Sequence, residues 1–132
     1  MSPVALSYAV DGPVEAPTLV LGPSLGTTRA IWEPILPALT PAFRVIRYDH
    51  RGHDGSPAPP GPYAIADLGA DVVALLDHLG VERASYAGLS LGGMVGLWLA
   101  THAAARIDRL ALICTSAFLP PRDGWLARAA TV

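Results

Sequence analysis

The chain has no lysine: its nine basic side chains are all arginine, and eleven acids leave a net charge of −2. A basic stripe of the kind that tracks nucleic acid or an anionic membrane surface is therefore missing. Cysteine occurs once, at Cys114, which excludes an internal disulfide and suits a reducing, cytoplasmic compartment. Long hydrophobic runs are also missing, since each apolar stretch is interrupted well short of a membrane span, and Met1-Ser2-Pro3 begins no secretory signal. No grouping of His, Cys and acids has metal-ligand spacing, and the glycines from Gly88 to Gly93 lack a phosphate-loop lysine. These 132 residues, without repeats or a linker, make one domain or part of one.

What the chain does have is Gly88-Leu89-Ser90-Leu91-Gly92, a serine between two glycines. Before it, Arg83 to Ala87 reads as a short strand; after it, Leu91 to Ala100 reads as the start of a buried helix. A G-x-S-x-G turn between strand and helix is the setting of a nucleophile elbow, with Ser90 exposed at a helix N-terminus where developing negative charge is favoured. The bland alternative is a merely structural tight turn.

The rest of the chain alternates between strand-like and helix-like patterns. Val4 to Val10 reads as an edge strand, Thr18 to Leu21 as a short strand, and Arg44 to Tyr48 as the next. Ala30 to Leu39 has helical spacing with Ile31, Ile35 and Leu39 on one face, made irregular by Pro34 and Pro37. Ile65, Leu68, Val72, Leu75, Leu76 and Leu79 mark an amphipathic helix stopped by Gly80. Leu110 to Cys114 is a fully apolar strand. Strands that are apolar throughout, separated by helices, predict a mostly parallel α/β sheet covered on both faces.

Two further loops follow strands at the same sheet edge as the elbow: Gly22-Pro23-Ser24-Leu25-Gly26-Thr27-Thr28, and Asp49-His50-Arg51-Gly52-His53-Asp54-Gly55-Ser56. In this order and spacing the three motifs resemble the α/β-hydrolase fold, from about Thr18 to the last residue. Ser24-Leu25-Gly26-Thr27, Ile31-Trp32 and the run Arg47 to His53 are similar to the 3-oxoadipate enol-lactonases. The resemblance implies serine-dependent hydrolysis of a small ester or lactone without a cofactor. Ser90 would be the nucleophile. The N–H of Leu91, which follows it at the helix start, is one candidate oxyanion donor. The resemblance makes the N–H of Leu25 the second. Asp54 departs from the family's usual glycine, and Pro23 stands where many relatives have histidine.

A catalytic triad is not legible. In this fold the orienting acid and the histidine follow the serine in chain order. After Ser90 the acids are Asp108 and Asp123 and the only histidine is His102, roughly 18 Å along the elbow helix. His50 and His53 lie on the loop of a strand that the resemblance places two positions from the elbow strand, roughly 10 Å off, and His78 ends a helix and is expected to face solvent. Residues 1–119 are thus expected to be the N-terminal part of a hydrolase core, and residues 120–132 the start of a lid. A completing C-terminal chain of the same hydrolase is the expected partner, beside the small-molecule substrate. The alternatives are another α/β-hydrolase, acting as an esterase or a cofactor-free perhydrolase, or a catalytically inactive fragment.

Trp125 and Arg128, three apart on the last helix, share a face. On a lid, Arg128 would pair with a substrate carboxylate and Trp125 would wall the pocket; otherwise Arg128 faces solvent and Trp125 packs. Asp49 and Arg51 are expected to tie turns together, and Ser24 and Ser56 to serve turns and caps. Met94, Trp98 and Leu99 are expected in the core, and Cys114 as a small buried hydrophobe.

Overall fold

The computed structural model describes residues 1–119 and 122–131. Five strands form one sheet: β1 (Tyr8–Asp11), β2 (Thr18–Gly22), β3 (Arg44–Tyr48), β4 (Ala84–Leu89) and β5 (Ile107–Ile113). Their spatial order is β1-β3-β2-β4-β5; β1 pairs antiparallel with β3, and every other pairing is parallel. The helices are α1 (Leu36–Leu39), α2 (Ile65–His78), α3 (Leu91–His102) and α4 (Arg122–Ala129), with a 3-10 segment over Arg29–Ile35.

Period-two alternation sends neighbouring strand residues to opposite faces. Val20, Ile46, Tyr48 and Tyr86 join Val72, Leu75 and Leu76 of α2 and Val95 and Leu99 of α3 in one cluster. Leu21 and Val45 join Trp32, with Leu36 and Leu39 packed alongside, on the other face. Each fully buried Val, Leu or Ile side chain stabilises the fold by about 1.5–3 kcal/mol. This layering is that of an α/β protein with helices on both faces of a mostly parallel sheet.

Several local expectations are corrected. The 3-10 segment turns every three residues, so the phase read as an α-helix fails. Trp32 is buried, while Ile31 and Ile35 are exposed. The edge strand shrinks to β1, because Val4 instead gives its N–H to the Asp71 carboxylate at 2.8 Å. Cys114 is exposed and lies one residue past β5, with φ of 46°. The reason is that β5 pairs with β4 alone among the described residues, so Leu112 and Ile113 beside it are exposed too. On α3, Leu99 is buried, but Met94 and Trp98 are only half-buried, and Trp98 stacks on His102. The boundary expected at Pro120-Pro121, and Val132, lie outside the described residues.

Candidate active site

Ser90 sits at the end of β4 and caps α3 with φ 52° and ψ −110°. A non-glycine residue held there stores on the order of 1–3 kcal/mol of backbone strain, which surrounding contacts must hold in place. Those contacts are visible. The Ser90 N–H donates to the Ile113 carbonyl at 2.9 Å, and its carbonyl accepts from Thr115 Oγ1 at 2.7 Å. Under the turn, Tyr86 donates its hydroxyl proton to the Gly92 carbonyl at 3.0 Å, and the Tyr48 hydroxyl lies 2.8 Å from that of Tyr86. Burial pushes both phenols up, so each keeps its proton.

The two glycines of the motif serve close approach. A methyl group on Gly88 would clash with the Gly92 carbonyl, and one on Gly92 would clash with the carbonyl of Gly22 and lie 2.8 Å from that of Pro23. The strain itself is carried by the serine.

Register brings the first loop alongside. Gly22 on β2 pairs with Gly88 on β4, and the Gly92 N–H donates to the Pro23 carbonyl at 3.0 Å. In the loop that follows, Thr27 gives its N–H and its hydroxyl to the Ser24 carbonyl, so Ser24 serves a turn as expected. The Gly26 N–H donates to His53 Nε2 at 3.0 Å. Several main-chain donors in these turns are left over, those of Leu25 and Leu91 among them. Among the described residues, neither the Leu25 N–H nor the Leu91 N–H has a hydrogen-bond partner. Leu91 also lies in the first turn of α3, where backbone donors are free and the helix dipole favours negative charge.

The second loop leaves β3, which is parallel to β2, with Leu21 opposite Arg47. Asp49 is fully buried and takes the Arg29 N–H at 2.6 Å together with its guanidinium. Arg51 grips Asp71 of α2 with Nε and one Nη, both at 2.7 Å. Ser56 Oγ donates to the Asp49 carbonyl and accepts the Ser7 N–H. Asp54 stands at φ 41°, a turn that glycine would enter without strain. The charged residues of this loop are thus structural, as expected.

None of the four histidines bonds to Ser90. His102 stacks on Trp98, His78 is exposed near the Tyr8 hydroxyl at 3.4 Å, and His50 and His53 are bound to the loop that follows β2. These last two contacts are what sequence reasoning missed. The available signal was the adjacency of β2 and β3, which lays the two loops that follow them side by side.

His50 is almost fully buried, and its Nε2 lies 3.0 Å from the Pro23 carbonyl. Burial pushes it down to about 4, against a smaller upward pull from that hydrogen bond. A carbonyl only accepts, so the neutral ring carries its proton on Nε2. Between pH 6.5 and 4 the unfolded chain therefore binds a proton here that the folded chain refuses. Stability is full above about pH 6.5 and falls as pH drops to about 4, by about 3 kcal/mol from this group. His50→Gln retains a donor for Pro23 but does not titrate. Urea titrations across this range should show a correspondingly shallower acid loss in the variant than in the parent.

Trp125 and Arg128 are both exposed on α4, which buries none of its residues. The Arg128 guanidinium lies 5.6 Å over the Trp125 ring. The structure brings these two together and records no hydrogen bond or ion pair between either and the elbow. Among the described residues, no three His, Cys, Asp or Glu converge as metal ligands, and no helix is long and apolar enough to cross a membrane.

A strained serine between a β-strand and a helix, flanked by a main-chain donor loop from the neighbouring strand, defines a class. Residues 17–131 match the family model of the alpha/beta hydrolase fold, and the chain belongs to that family. It is 42% identical over 129 residues to 3-oxoadipate enol-lactonase 2 of Acinetobacter baylyi, covering 98% of this chain and 48% of that protein. Among solved structures, a hydrolase from Pseudomonas aeruginosa PA01 superposes with a TM-score of 0.94 at 55% identity, covering 97% of this chain and 48% of that one. The enol-lactonase from Burkholderia xenovorans LB400 superposes with a TM-score of 0.93 at 44% identity, covering 98% of this chain and 53% of that one. The chain spans about half the length of the curated relatives it matches.

Proposed function

We propose that residues 1–132 supply the nucleophile-bearing half of a serine hydrolase whose substrate is an enol-lactone of the 3-oxoadipate type. The observation that carries this is Ser90 in its strained turn, beside the unpartnered N–H groups of Leu25 and Leu91. The similarity to two enol-lactonases supports the choice of substrate.

The chemistry needs no cofactor. Ser90 Oγ attacks the lactone carbonyl carbon while its proton passes to a base, and the carbonyl oxygen becomes an oxyanion held by the N–H groups of Leu25 and Leu91. Collapse breaks the ring C–O bond. The leaving enol oxygen takes the proton and remains tethered in an acyl-enzyme. Water, deprotonated by the same base, then releases the acid and regenerates Ser90, and the enol tautomerises to the keto acid. The base and its orienting acid come from a further segment of the kind carried by the unmatched half of the relatives. The single cysteine fits a cytoplasmic setting.

In this reading α4 opens a lid, Arg128 pairs with the free carboxylate of the lactone, and Trp125 both walls the pocket and holds the guanidinium by stacking. In the chain completed by such a segment, Arg128→Ala should raise KM for the carboxylated lactone about tenfold and leave KM for a neutral aryl acetate unchanged. Equal losses on both would remove Arg128 from substrate binding. The function itself is tested by following disappearance of the enol-lactone. Turnover supports the reading; turnover of aryl acetates alone would make the protein a simple esterase.

A further inference from the structure

Among the described residues, the tip of the loop that carries Leu25 is only lightly packed. The Leu25 side chain is 50% exposed, and a methyl group on Gly26 would meet nothing within 4 Å. Hydrogen bonds therefore do much to place this tip. Beyond the loop's own Ser24–Thr27 turn, they come from two histidines and the elbow.

We propose that His50 and His53 are positioning residues that clamp the two ends of this loop and hold the Leu25 N–H ready for an oxyanion. The proposal rests on the reading of Leu25 as an oxyanion donor.

At one end, the Pro23 carbonyl accepts from both His50 Nε2 and the Gly92 N–H, each at 3.0 Å. His50 thereby fixes the loop at the point where it touches the elbow. At the other end, the Gly26 N–H donates to His53 Nε2 at 3.0 Å, and His53 Nδ1 lies 3.2 Å from the Arg51 carbonyl. The two rings are thus held in opposite tautomers. His50 carries its proton on Nε2, as a donor must; His53 carries its proton on Nδ1, leaving Nε2 a bare acceptor. Each ring is itself oriented. His50 stands edge-on to Tyr48, with centroids 5.2 Å apart, and to His53, with centroids 6.0 Å apart. Arg51, which anchors His53, is locked to Asp71.

Between these fixed points lie only Ser24 and Leu25. Gly26 is engaged by His53 and Thr27 by the Ser24 carbonyl, while the Leu25 N–H between them has no partner among the described residues. Oxyanion donors work because they are aimed before the charge develops, and loss of one costs roughly 10²–10³ in kcat. Loosening one donor without removing it should cost less, about tenfold to a hundredfold. Because the bond strengthens only in the transition state, the loss should fall on kcat and spare KM.

The bond itself can be read on the chain as it stands. An N–H···N hydrogen bond transmits a scalar coupling, so ¹⁵N NMR should show one between the Gly26 amide and His53 Nε2, with His53 as the Nδ1–H tautomer. In His53→Ala, Gly26 amide exchange should accelerate at least tenfold while β4 amides hold their rates. In His53→Gln, whose Oε1 replaces the acceptor, Gly26 protection should return. In the completed enzyme, His53→Ala should lose tenfold or more in kcat on an aryl acetate with KM within twofold, and His53→Gln should recover most of it. Absence of the coupling, unchanged Gly26 exchange, or unchanged kcat in His53→Ala would each overturn the clamp. If the parent shows the coupling but no Ser90-dependent hydrolysis, the proposed function fails while the clamp on Gly26 stands.

Discussion

Ser90→Ala is expected to lower kcat on the enol-lactone by roughly four to six orders of magnitude in the completed enzyme, with the fold intact. Removing a serine nucleophile leaves only the help given by binding and oxyanion donors, and that residue of catalysis is small. Stability should hardly move. Ser90 is a non-glycine residue at φ 52°, and its side chain bonds to nothing among the described residues. Alanine keeps the same strained backbone but loses no hydrogen bond, so unfolding midpoints should stay within about 0.5 kcal/mol of the parent. The pairing of a large kinetic loss with a negligible stability change distinguishes a nucleophile from a structural turn. A Ser90→Ala protein that unfolds early and still turns over lactone would assign Ser90 to the turn alone.

Asp71→Ala is expected to cost about 3–5 kcal/mol of stability. Both partners of the Arg51–Asp71 pair are almost wholly buried, and the carboxylate also accepts the Val4 N–H. Removing the acid leaves a guanidinium in the core with its two charge-assisted bonds unmade. For a chain of this size the loss corresponds to a fall in Tm of about 10–20 °C. The pair itself need not be strongly stabilising, because its desolvation offsets much of its attraction. Replacing both residues, Arg51→Met with Asp71→Leu, should therefore recover most of the loss. Failure of the double variant to recover would mean that the contacts of Val4 and His53 with this pair, not the unpaired charge, dominate. The loss should also reach the site, since the Arg51 carbonyl orients His53.

How much of this was legible depended on the range of the interactions involved. The elbow could be read because its requirements are local: small residues two positions either side of the serine, a strand before and an apolar helix after. α2 could be read because Leu68, Val72, Leu75 and Leu76 recur on one face, and all four are buried. The place of β3 two strands from β4 came from the resemblance to the fold, and the sheet has that order. The task of His50 and His53 was not legible. It depends on Pro23 and Gly26 meeting side chains 27 residues away, a relation no local pattern records. The segment Arg29–Ile35 misled for a different reason, because Pro34 sits inside a 3-10 turn that buries Trp32 in place of Ile31 and Ile35. The apolar run ending at Cys114 correctly announced a strand, but hydropathy alone does not say what lies beside it.

In the proposed reaction, the attacking atom is Ser90 Oγ, beside the N–H groups of Leu25 and Leu91. The most direct measurement treats the completed enzyme with an aryl phosphonate ester, which traps a serine nucleophile as a stable tetrahedral adduct, and maps the modified peptide by mass spectrometry. One adduct per chain is expected, on the peptide containing Ser90, with hydrolysis lost in step. Lactone hydrolysis that survives full modification of Ser90, or an adduct confined to another residue, would contradict it.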